Sequence, residues 1–93
     1  MPGDDELDRL RAAMDVCNRR LAAVLHERAR LVRQIGACKR RRGLPAVDEG
    51  REAAMLASAG DHLPADGYPP ALLRAILAAV FVASRELAAR PDA

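Results

Sequence analysis

Aromatic residues are nearly absent: the 93-residue sequence holds one Phe, one Tyr and no Trp. A core without aromatic rings must be built from Ala, Leu, Val, Ile and Met, which suits packed helices better than a sheet. No strand-like alternation and no internal repeat is present. No apolar run approaches the ~20 residues needed to span a bilayer. The start, Met-Pro-Gly-Asp-Asp-Glu, is acidic and has no apolar signal-peptide core. These absences predict a cytoplasmic protein with no membrane partner. There are only two cysteines, Cys17 and Cys38. On one helix they lie roughly 30 Å apart, too far to pair, and they read as small apolar residues. No Cys/His spacing resembles a zinc site, and there is no Ser-His-Asp or Cys-His set and no Gly-rich phosphate loop. His26 and His62 stand isolated. The net charge of +2 does not by itself indicate a nucleic-acid partner.

The strongest pattern that is present runs from Asp4 to Arg42. Leu7, Leu10, Met14, Cys17, Leu21, Val24, Leu31, Ile35 and Cys38 recur at spacings of three and four, a heptad seam. Asp4 or Asp5 is the expected N-cap. Lys39-Arg40-Arg41-Arg42 meets the carbonyl end before Gly43-Leu44-Pro45 stops the helix. The basic run reads as a dipole-compensating helix end rather than a nucleic-acid patch, although that alternative predicts salt-sensitive binding.

Two further helices follow. Asp48 caps one over about residues 49–58, with Ala53, Met55 and Leu56 as its apolar residues. The Gly-, Pro- and Asp-rich stretch 60–70 is a loop. Pro69-Pro70 opens the last helix, about 70–89, ended by Pro91. Its buried face is expected to carry Leu73, Ile76, Leu77, Val80, Ser84 and Leu87. The whole chain, 1–93, reads as one all-α domain. A first helix of about 39 residues would be roughly 58 Å long, against a radius of gyration of ~13 Å for a compact domain of this size. Two short helices cannot cover such a seam, so the expected architecture is an intertwined homodimer with the long helices antiparallel.

One seam position breaks the pattern. After Val24 the repeat asks for an apolar residue and the chain supplies Arg28, costly on a core face unless a partner or ligand compensates it. Alone, such a residue could specify dimer register. Lys39 lies eleven positions later, about 16 Å along the same face, so the two could hold a small anion between them. Arg11 lies about 25 Å from Arg28 within a protomer, but in an antiparallel dimer the partner's Arg11 comes close. Arg51 and Glu52 follow the Asp48 cap, where backbone N–H groups are free, and Ser84 offers a hydroxyl from the last helix. The constellation suits binding a small polyanion without a nucleophile or cofactor.

In order and spacing, these residues resemble the small all-helical bacterial chorismate mutases. The resemblance covers about residues 7–87. It is carried by Leu10-Arg11 with Met14-Asp15, Glu27-Arg28-Ala29-Arg30-Leu31-Val32, Ile35-Gly36 with Lys39, Gly43-Leu44-Pro45, Asp48 with Arg51-Glu52, and Ala83-Ser84-Arg85. It implies a cofactor-free Claisen rearrangement of chorismate to prephenate, feeding phenylalanine and tyrosine synthesis. By resemblance, Arg28 and the partner's Arg11 pair with the substrate carboxylates, and Lys39 reaches a carboxylate and the ether oxygen. Arg51 and Ser84 hold the ring carboxylate, Asp48 and Glu52 bind the ring hydroxyl, and Val32 and Ile35 wall the pocket. Where the family usually places a Gln that donates to the ether oxygen, this chain has Ala88. Arg85 and Glu86 are expected to point elsewhere on the helix. The Asp48/Glu52 pair suits a ring hydroxyl or amine equally, so 4-amino-4-deoxychorismate, or isochorismate in a pyruvate lyase, stays open as substrate. A non-catalytic helical dimer also stays open.

Overall fold

The computed structural model describes Pro2 to Arg90, with side chains from Asp5 onward. It is all-α: α1 spans Pro2–Arg41, α2 Glu49–Ala57 and α3 Pro70–Ala88, and the described residues include no strand. Among them no helix is long and apolar enough to cross a membrane.

α1 begins at Pro2, so the two aspartates expected to cap it fall in its first turn instead. Proline has no N–H to leave unsatisfied and its fixed φ suits a first helical position, while acidic residues favour a first turn. The side chain of Asp4 lies outside the described residues. At the other end, Gly43 adopts a left-handed φ of 66°. The Leu44 N–H donates to the Lys39 carbonyl at 2.9 Å and the Gly43 N–H to that of Arg40 at 3.3 Å. This is a Schellman ending, and it turns the chain sharply just after Lys39.

The chain divides into two compact units, one ending at Leu31 and the other beginning at Val32. The first is helix alone. Its apolar seam is exposed throughout, with Leu10 at 52% and Val24 at 58%, and Cys17 is exposed with it. Among its described residues only Arg28 and Ala29 are half-buried. This unit therefore has no core of its own.

The second unit contains the end of α1, then α2 and α3, with α2 packed on α3. Asp48 caps α2 as its sequence position requires, its Oδ1 accepting from the Arg51 N–H at 3.0 Å. On α3, Leu73, Leu77, Val80, Ser84 and Leu87 are half-buried, but Ile76 is exposed, as is Ala53 on α2. The residue missing from the sequence-based face is Phe81, which at 7% exposure is the one buried hydrophobic among the described residues. Phe81 follows Leu77 by four and precedes Ser84 by three, so it shares their stripe. A stripe centred on Leu77, Phe81 and Ser84 leaves Ile76 at its edge. Pro91, expected to end α3, lies outside the described residues; the helix is capped at Ala89, whose N–H reaches the Arg85 carbonyl.

Candidate active site

The second unit forms an open cavity of about 310 Å³, within the range typical of small-molecule sites, about 300–1,000 Å³. Four stretches build it. Val32, Ile35, Gly36 and Lys39 come from one face of α1. Ala46 and Val47 come from the connection after the Schellman turn, Asp48, Arg51, Glu52 and Met55 from α2 and its N-cap, and Ser84, Arg85, Ala88 and Ala89 from the end of α3.

Eight of the ten positions singled out in the sequence therefore line one cavity: Val32, Ile35, Lys39, Asp48, Arg51, Glu52, Ser84 and Ala88. They span 57 positions of sequence, from 32 to 88, and share no local motif. Arg11 and Arg28 belong to the unit that ends at Leu31 and are not among the lining residues.

Local chemistry holds several of the polar groups in place. The Lys39 ammonium donates to the Ala46 carbonyl at 3.3 Å, tying the connection back onto α1. An ammonium has three donors, so two remain for a ligand. The Asp48 carboxylate is committed to its capping bond, and the N-terminal N–H groups of α2 stand beside the cavity. Ser84 Oγ donates to the Val80 carbonyl at 2.8 Å, a back-bond common for serine in helices. The hydroxyl can accept in this rotamer, and must turn off Val80 to donate to an anion.

Arg85 corrects the sequence reading. It lines the cavity rather than pointing away from it. Its Nε donates to Glu52 Oε1 at 3.1 Å, and its Nη2 pairs with Glu52 Oε2. One position along a helix is a rotation of about 100° from Ser84, but a guanidinium on a three-carbon stem reaches sideways across that angle. The hydrogen bond to Glu52, and then the attraction between the charges, hold the Arg85 guanidinium above its ordinary pKa. No sequence signal announced the pair, because its members are 33 positions apart on different helices. The cavity thus presents three cations, Lys39, Arg51 and Arg85, against two carboxylates. It suits an anion. Among the described residues no group of His, Cys, Asp and Glu is placed to hold a metal ion.

The family profile described as chorismate mutase type II matches residues 10–89. The chain belongs to the type II chorismate mutase family. It is similar to two solved structures of chorismate mutase from Thermus thermophilus. With form II it shares 35% identity and a TM-score of 0.86, covering 92% of this chain and 97% of that one. With form I it shares 35% identity and a TM-score of 0.79, covering 85% and 98%. A curated relative, the T-protein of Enterobacter agglomerans, is 40% identical over 72 residues. That match covers 77% of this chain but only 19% of the relative, so the chain spans about a fifth of the T-protein's length.

Proposed function

We propose that this chain is a chorismate mutase, rearranging chorismate to prephenate for phenylalanine and tyrosine synthesis in the cytoplasm. The observation that carries this reading is the convergence of Lys39, Arg51, Glu52 and Ser84 on one cavity in a member of the mutase family. The rearrangement breaks the ether C–O bond as a C–C bond forms within the same molecule, so it calls for no cofactor. What it needs is a folded substrate conformer and relief of negative charge growing on the ether oxygen.

The roles follow from charge and position. Lys39 has two donors left for a substrate carboxylate and the ether oxygen, and as a fixed cation beside developing charge it would be the main catalytic group. Arg51 would hold the ring carboxylate, with Ser84 helping once its hydroxyl turns from Val80. Glu52 would accept from the ring hydroxyl, the Asp48 backbone would help to bind that hydroxyl, and Val32 and Ile35 would wall the site. At Ala88 no donor reaches the ether oxygen, and the rate would be correspondingly modest.

Of the remaining two cations, Arg11 would come from a second copy. The exposed seam through Leu31 fits an antiparallel homodimer of single-domain protomers, in which two long helices cover each other. Arg28, on the same helix as Lys39, and the partner's Arg11 would then close each site on the substrate carboxylates. The test is incubation of the purified chain with chorismate, with products identified by NMR. Prephenate is the expected product. Unchanged chorismate under conditions where the protein is folded and dimeric would reject the assignment.

A further inference from the structure

The ring hydroxyl of chorismate and the ring amine of its 4-amino-4-deoxy analogue ask different things of Glu52. A hydroxyl is neutral and needs an acceptor lone pair. An amine carries a positive charge at neutral pH and gains most from a carboxylate whose charge is uncompensated. Glu52 here is compensated: Arg85 engages both its oxygens, Nε on Oε1 and Nη2 on Oε2. A carboxylate oxygen has two lone pairs, so this bidentate contact does not by itself prevent the group from accepting an O–H. Its field at the substrate, however, is largely cancelled by the guanidinium beside it.

We propose that Arg85 sets substrate specificity by holding Glu52 as a neutralised acceptor, so that the site takes a hydroxylated ring acid and rejects its ammonium counterpart. This rests on the mutase reading and sharpens it. The neighbours reinforce the bias. Lys39 and Arg51 also line the cavity, so an ammonium would enter a site with three cations. The other carboxylate there, Asp48, is engaged by the Arg51 N–H. Like charges brought together as water is expelled oppose binding, which is how discrimination by repulsion works. The pair is placed to act on a ligand, since both residues line the cavity, with the Glu52 side chain only 20% and the Arg85 side chain 48% exposed. Arg85 is thus a positioning residue, acting through Glu52.

The experiment compares kcat/KM for chorismate and 4-amino-4-deoxychorismate in the wild type, Arg85→Ala and Arg85→Gln. The wild type should strongly prefer chorismate. Each variant should move the ratio toward the amino substrate by on the order of tenfold, mostly through KM. A merely structural role for Arg85 would lower both values together. In the double variant Glu52→Gln with Arg85→Ala the shift should vanish, because no carboxylate is left to unmask. An active wild type whose ratio is unchanged in both single variants overturns the specificity role and leaves the mutase assignment standing. A wild type that turns over neither substrate overturns that assignment and the inference together. Circular dichroism distinguishes a variant that fails to fold, and Arg85→Gln, which keeps the stem, serves if Arg85→Ala does.

Discussion

Through Leu31 the chain is helix alone, with its apolar seam exposed and no core; from Val32 onward three helical pieces bury Phe81 and line a cavity that holds Lys39 and the Arg85–Glu52 pair. The two parts are written in different sequence languages. The first repeats one simple period, the mark of a surface meant for another helix. The second spends its distinctive residues singly, each placed by a cap, a turn or a helix end. An amphipathic helix gains most of its stability from what covers its apolar face. The second unit therefore carries the proposed chemistry, and the first leaves its apolar seam uncovered within this chain.

The contrast is most directly broken by placing a charge in the seam. Val24→Asp should dissociate the proposed dimer, lowering the mass seen by light scattering from twice 10.0 kDa to 10.0 kDa and abolishing turnover, because the interface would bury two unpaired carboxylates. A variant that keeps its mass and activity would put the seam in solvent. Lys39→Ala probes the second unit alone: kcat should fall on the order of 10²–10³ while the dimer persists. Loss of the dimer instead would make Lys39 a structural residue. Phe81→Ala should cost about 3 kcal/mol in urea unfolding, the usual penalty for emptying a buried aromatic site, and a cost near zero would deny this unit a core. Ala88→Gln should raise kcat on the order of tenfold by restoring a donor of the oxyanion-stabilising kind. An unchanged rate would mean that the end of α3 stands too far from the reacting oxygen.

How legible each part was in the sequence follows the same division. The seam and the long helix were plain from periodicity, and the ends of α1 and α2 from Gly43 and Asp48, because those signals are local. Of the cavity's lining, Lys39, Asp48, Arg51, Glu52 and Ser84 were legible as residue types and Val32, Ile35 and Ala88 through the family resemblance, while Arg11 and Arg28 do not line it. Phe81 was missed because a stripe was drawn through Ile76, and a modest rotation of the helix separates the two choices. Helix periodicity gives the direction of Arg85 only at its Cα, whereas its long side chain ends where its partner Glu52 is. Glu52 lies 33 positions away, and pairing at that range is fixed by packing rather than by any period in the chain.

The central claim is the proposed sharing of each site between two subunits, with Arg11 supplied by the partner. An Arg11→Ala chain and an Arg28→Ala chain, each nearly inactive alone, should be mixed, allowed to exchange subunits, and assayed with chorismate. One site of each mixed dimer would then hold Arg28 and Lys39 from one subunit and Arg11 from the other. Recovery of activity toward half the wild-type value per heterodimer is the predicted result. Activity no higher than that of the parent variants, with exchange verified by mass spectrometry, would contradict the shared site.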